Sequence, residues 1–200
     1  MKLLLVSDAE SKFIWDHFDP AAFSGVRAII SCGDLKRDYL EFLVTMIPAP
    51  LFYVPGNHDK SFITAPPEGC VSLDGNVIKH GGLTFCGLGG CKSPKPDTAY
   101  EYTEEVMAAR VARLSKQIKR TGGIDIFVTH APAKALGDGS DRFHEGFSCF
   151  FSILDAYSPK LYAFGHQHKA YNQATPPTYG KTRVTNAYGH TIVDVEAGKP

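Results

Sequence analysis

Apolar residues along this 200-residue chain gather into short, nearly continuous runs separated by turn-forming and charged stretches. Residues 2–6, 27–31, 51–54, 83–88, 124–128 and 161–164 are rich in Val, Ile, Leu and Phe, and Gly, Pro, Asp or His closes each run. Continuous hydrophobicity over a short bounded run marks a strand buried on both faces. Between these runs the period changes. Within residues 101–120, Met107, Val111, Leu114 and Ile118 recur at the spacing of one helical face, which leaves Arg and Lys on the other. Phe147, Phe150, Phe151 and Leu154 repeat the pattern over a shorter helix, and residues 35–47 predict a third helix, stopped before Pro48.

Two further segments predict hairpins. Residues 71–80 surround Asp74-Gly75, a dipeptide suited to positive φ in a tight turn, and residues 183–195 are expected to turn near Gly189. Strands that first alternate with helices and then pair with their neighbours imply an α/β fold with mixed sheets and external helices. The length suits one domain over residues 1–200.

Composition narrows the class. Hydrophobic residues make up 44% and charged residues 21%, and no apolar run approaches the ~20 residues that cross a bilayer, so a soluble protein without a membrane partner is expected. Ser7 and Asp8 end the first apolar run before a secretory core would be complete. Five cysteines without C-x-x-C spacing predict neither a disulfide framework nor a zinc ribbon, and suit a cytoplasmic location. Basic and acidic residues balance at 21 each, so no net field favours a nucleic-acid partner. Protein partners leave no mark in the sequence.

The eight histidines change the picture, because several stand where apolar runs end. Five runs lead into metal-capable groups: Asp8 with Glu10, Gly33-Asp34, Gly56-Asn57-His58-Asp59, Thr129-His130, and Gly165-His166-Gln167-His168. Singly, each is an ordinary cap, turn or surface histidine. Together they gain meaning, since strand C-terminal ends in an α/β sheet converge on one crevice. Carboxylate, carboxamide and imidazole donors in one place suit Mn²⁺, Fe²⁺ or Zn²⁺ at a catalytic site.

In this order the motifs resemble the calcineurin-like metallophosphoesterase family, whose pattern is D-x-H, G-D, G-N-H-[DE], H and G-H-x-H. The resemblance runs from Asp8 to His168. It implies a four-layer sandwich, two packed mixed β-sheets flanked by helices. It also implies a metal-dependent phosphoesterase that cleaves a phosphodiester or phosphomonoester of a small molecule or nucleotide. By the same resemblance Asp8, Asp34 and His168 hold one divalent ion, and Asp34 bridges to a second held by Asn57, His130 and His166. A hydroxide between two such ions attacks phosphorus. His58, just outside the metals, steadies the transferring phosphoryl group or protonates the leaving oxygen. Asn57 also reaches substrate, and residues 137–146, with Asp138, Asp141, Arg142 and His144, resemble a substrate-side loop. Arg142 and His144 are its candidate phosphate ligands. Asp59 is expected to bond nearby backbone amides, and His17, His80 and His190 match no motif.

Two features depart from the pattern. The second and third motifs differ from those of protein serine/threonine phosphatases, which argues against that role. Glu10 stands where the family has histidine. As a ligand it lowers the formal charge of the centre by one, which favours Mn²⁺ at the Asp8 site and a diester substrate. The alternative is that Glu10 only complements the dipole of a helix starting near Ser11. The same departure keeps open a non-catalytic scaffold, as in a retromer subunit of this fold. A nuclease role would call for a longer and more basic chain.

Overall fold

The computed structural model describes residues 1–139, 144–168 and 177–197. The chain opens with β1 (Lys2–Ser7), α1 (Lys12–Trp15), β2 (Val26–Ser31), α2 (Arg37–Met46), β3 (Leu51–Tyr53) and β4 (Cys70–Ser72). It continues with β5 (Val77–His80), β6 (Leu83–Leu88), the short pair β7 (Cys91–Lys92) and β8 (Glu101–Tyr102), α3 (Glu104–Thr121) and β9 (Ile126–Thr129). The last elements are α4 (Phe151–Tyr157), β10 (Leu161–Phe164), β11 (Thr178–Tyr179), β12 (Thr182–Asn186) and β13 (Gly189–Asp194).

These strands form two large sheets, ordered β13-β1-β2-β3-β4 and β11-β12-β10-β9-β6-β5. Strands β1 to β4 run parallel, with β13 antiparallel along the β1 edge. In the second sheet β12, β10, β9 and β6 are parallel, and β11 and β5 are antiparallel edges. Both sheets bury both faces, which is why their central strands read as unbroken apolar runs. Leu3, Leu5, Ile30 and Phe52 meet Phe85, Ile126, Val128 and Leu161 in the core between the sheets. The alternate residues Leu4, Val6 and Ile29 pack outward against Ile14, Tyr39, Leu40 and Leu43 of α1 and α2. On the far side, Phe127, Tyr162 and Phe164 pack against Met107, Val111, Leu114 and Ile118 of α3 and Ile153 and Leu154 of α4. This is the expected four-layer sandwich.

Helix α3 is bounded by identifiable signals. The Thr103 side chain accepts from the Val106 amide at 3.3 Å, and Gly122 ends the helix at φ 87°.

Neither expected hairpin forms. Across residues 71–80, β4 pairs with β3 while β5 pairs with β6, so the chain changes sheets at Asp74-Gly75. Across residues 183–195, β12 pairs with β10 while β13 closes the open edge of β1, so Gly189 again marks a crossing. Turn residues and strand periodicity locate strand ends but do not name the partner. Here each second strand gains more by covering an edge of the opposite sheet. The tight antiparallel turns lie elsewhere, between β5 and β6 at Gly81-Gly82 and between β11 and β12 at Gly180, all at positive φ.

Because β1, β2 and β3 share one direction and β6, β9 and β10 another common one, the C-terminal ends of each set lie together. The loops leaving them carry the motifs.

Candidate metal centre

Asp8 follows β1, Asp34 follows β2, Asn57 follows β3, His130 follows β9 and His166 follows β10. Backbone contacts lock these loops across the two sheets. The His166 amide donates to both Asp8 carboxylate oxygens at 3.0 and 2.9 Å, and the Asp8 amide donates to the Gly33 carbonyl at 3.1 Å. The His58 amide donates to Asp34 Oδ1 at 2.9 Å. Asp59 accepts from the Asp34 amide at 2.8 Å and the Gly56 amide at 2.7 Å, so it ties the second motif to the third. The backbone role expected for Asp59 is observed, and it reaches further than its own turn.

Three of the side chains sit on left-handed backbone: Asp8 at φ 63°, Asp34 at φ 56° and His166 at φ 65°. Such conformations cost about 1–3 kcal/mol each in residues other than glycine and persist where surroundings over-determine them. The glycines at this rim serve close approach. A Cβ on Gly33 would stand 2.7 Å from His130 Nδ1, one on Gly165 2.7 Å from Asp8 Oδ2, and one on Gly56 2.7 Å from His130 Cε1.

Among the described residues, Asp34, His130 and His166 each present a ligand atom, all within 4.8 Å of one another. His130 is fully buried, and its Nδ1 lies 2.7 Å from the Cys32 carbonyl oxygen. A carbonyl can only accept, so Nδ1 carries the hydrogen, and Nε2 is turned toward Asn57 Oδ1 at 3.1 Å and Asp34 Oδ2 at 3.4 Å. Fixing one ring nitrogen so that the other faces inward is how metal-binding histidines are oriented. Oxygen and nitrogen donors in this arrangement fit a divalent cation. Beside this group, His168 Nε2 stands 3.7 Å from Asp8 Oδ1.

The electrostatics agree with a site built to hold positive charge. Burial works to raise the Asp34 pKa, but the neighbouring His130 imidazole and its hydrogen bonds outweigh it and hold the carboxyl down at about 2. Burial likewise opposes charge on His130, and Asp34 overcomes it, raising the imidazole to about 9. Asp59 is pushed up to about 6 and Asp8 is also raised, both chiefly by burial. Among protein groups alone, His130 therefore carries a proton where a cation would otherwise pair with Asp34.

The remaining candidates fall in different places. His58 is highly exposed, at 81% of its side chain, with Nε2 3.9 Å from Asp34 Oδ2. Glu10 lies outside the Asp34–His130–His166 group and pairs with Lys36 at 3.5 Å, next to Ser11 at the start of α1. His144 comes to the site, its ring centroid 5.2 Å from that of His166 and its carbonyl accepting from Gln167 at 2.8 Å. Asp138 accepts from the Ala135 and Gly146 amides and so shapes the loop from within. Arg142 and Asp141 lie outside the described residues. His80 packs against Phe52 with its Nε2 3.1 Å from the Arg27 carbonyl, and His190 stacks on Phe13. The Cys32 carbonyl that orients His130 had no sequence signal, since any residue could supply it.

A ligating imidazole must be deprotonated, so cation affinity should climb as pH rises toward about 9. The metal-free protein should behave oppositely. The stabilisation from protonated His130 beside Asp34 is complete below the ordinary histidine range and disappears as pH rises through about 9. Mn²⁺ titrations and melting curves at pH 6.5 and 9.5 check both trends, and parallel trends would contradict the assignment.

The calcineurin-like phosphoesterase family model matches residues 9–170. An uncharacterized protein of Methanocaldococcus jannaschii is 28% identical over 153 residues, covering 73% of this chain. The chain spans 64% of that relative's length. Among solved structures, TT1561 of Thermus thermophilus superposes with a TM-score of 0.62 at 14% identity, over 94% of this chain and 89% of its own. A Vps29 single mutant from Entamoeba histolytica gives a TM-score of 0.50 at 11% identity, over 98% of this chain and 87% of its own. These two similarities speak to the fold. With the matched model covering most of the sequence and the motif residues gathered at one rim, the chain belongs to the calcineurin-like phosphoesterase family.

Proposed function

We propose that this chain is a metal-dependent phosphoesterase. The observation that carries the reading is the buried Asp34–His130–His166 donor set with an exposed imidazole, that of His58, standing directly beside it. Asp8, Asp34, Asn57, His130, His166 and His168 would hold two divalent ions. Such ions supply Lewis acidity and acidify water for attack on phosphorus. The protein's own part is orientation and proton handling. Asp34 is fixed by the His58 amide and, through its own amide, by Asp59, while Cys32 fixes His130. His58, free of such buried anchoring at its ring, donates a proton to the leaving oxygen or balances charge on the phosphoryl group.

Glu10 sets the proposed preference. Acting as an oxygen ligand near Asp8, it makes the centre less positive, which favours Mn²⁺ and a monoanionic diester over a dianionic monoester. That role requires Glu10 to exchange its Lys36 partner for the cation. Its existing ion pair favours a second reading, a binding scaffold with an incomplete centre. The two readings part on turnover, because a scaffold hydrolyses neither bis-p-nitrophenyl phosphate nor p-nitrophenyl phosphate with any added metal.

His58→Ala is expected to keep its metal while kcat falls by about 10²–10⁴-fold on bis-p-nitrophenyl phosphate. Released metal, or an unchanged rate, would contradict the role. Titration of wild type, Glu10→Ala and Glu10→His with Mn²⁺ tests the remaining assignment. The weaker site should vanish in the first variant and tighten in the second, whereas three identical isotherms would remove Glu10 from the centre.

A further inference from the structure

Gln167 stands between His166 and His168 in the loop that follows β10, and its side chain is buried. Its Nε2 donates to the His144 carbonyl at 2.8 Å. We propose that Gln167 is a positioning residue, which through this bond holds the His144 imidazole at the metal centre, where the ring donates to a phosphoryl oxygen of the substrate. The inference rests on the phosphoesterase reading and deepens it.

The loop that carries Gln167 is itself fixed. The Gly165 amide donates to the His130 carbonyl at 2.9 Å, and the His166 amide donates to Asp8. The Gln167 carbonyl accepts from Asn186 Nδ2 at 2.8 Å, while Asn186 Oδ1 accepts from the Tyr188 amide at 3.0 Å. Asn186 is therefore held at both ends of its carboxamide, and it ties Gln167 to the crossing from β12 to β13. The Gln167 side chain thus reaches out from a backbone that is set on two sides.

The receiving carbonyl is equally defined. It also accepts from the Gly139 amide at 2.8 Å, and Asp138 holds the Ala135 and Gly146 amides nearby. Two donors on one carbonyl leave the backbone at His144 little freedom, so the direction of its side chain is set as well. The His144 ring lies at the site, its centroid 5.2 Å from that of His166, and it lines the same cavity as Asn57 and His58.

Chemistry gives this bond a role beyond bracing the loop. A carbonyl only accepts, so the contact needs the N–H of a carboxamide, and a methionine of similar length would fill the space without donating. An imidazole presents an N–H in its neutral and its charged form, so a ring held here donates to a phosphoryl oxygen in either state. Position decides how much that is worth, since a shift of about 1 Å in a group that orients substrate can cost roughly 10²-fold in rate. Gln167 also couples the two halves of recognition. The same segment, residues 165–168, offers His166 and His168 to the cations and sets the place of His144 for the anion.

The test is a double-mutant cycle on Mn²⁺-loaded protein, read by calorimetric titration with inorganic phosphate. Gln167→Met and His144→Ala should each weaken phosphate binding about tenfold, with Mn²⁺ affinity kept within about twofold of wild type. His144→Ala retains the carbonyl, so Gln167 still has its acceptor there. If Gln167 acts through the ring, adding Gln167→Met to His144→Ala weakens phosphate binding no further, whereas a bond that only braces the loop costs as much in either background. Additive losses, or wild-type phosphate affinity in either single variant, would overturn the inference. Gln167→Asn, one methylene too short to reach, takes the place of Gln167→Met if that protein does not fold. Turnover of bis-p-nitrophenyl phosphate by the wild type keeps the two readings apart. Turnover together with additive losses removes the role of Gln167 alone, and no turnover with any added metal removes both.

Discussion

The contact on which the site depends is the hydrogen bond between His130 Nδ1 and the Cys32 carbonyl at 2.7 Å. It joins the loop after β9 to the loop after β2, so it links one sheet to the other at their common rim. Because the acceptor is a carbonyl, the bond also decides which nitrogen of His130 faces Asp34. Losing it would leave a buried carbonyl unsatisfied, at about 1–3 kcal/mol, and free the imidazole to turn. The Asp8–His166 and Asp34–Asp59 contacts extend the same interlock to either side.

This interlock carries a conformational cost. Asp8, Asp34 and His166 all adopt left-handed backbone, a region that only a few residue types other than glycine tolerate. The His166 strain is offset locally, since that backbone aims its amide at both oxygens of Asp8. The rest is carried by the cores. Three apolar layers, one between the sheets and one beneath each pair of helices, hold the strand ends where the loops must meet. Buried acids such as Asp59, with its raised pKa, belong to the same trade of stability for a prearranged site.

How much of this could be read from the sequence follows from where the information lies. The central strands were legible because burial on both faces leaves an unbroken apolar run, as in Leu3, Leu4, Leu5 and Val6. Helix α3 was legible from Met107, Val111, Leu114 and Ile118, spaced along one face. Strand pairing was not, because Asp74-Gly75 and Gly189 serve equally well to fold a hairpin or to cross a core. At the site, Asp34, His130 and His166 announced themselves by type and order, and the structure brings them together. What orients them did not, since the Cys32 carbonyl and the Asp34 and Gly56 amides belong to every residue type alike. The β7–β8 pair left no mark either, because strands of two residues are too short to show a period.

Loops from both sheets bring Asp34, His130 and His166 together, and in the proposed function these three are the inner ligands of a cation. Diffraction from a crystal grown with Mn²⁺, recorded where manganese scatters anomalously, tests it most directly. An anomalous peak is expected about 2.0–2.3 Å from His130 Nε2, an Asp34 oxygen and a His166 ring nitrogen. A fully loaded crystal with no peak among these three side chains would contradict it.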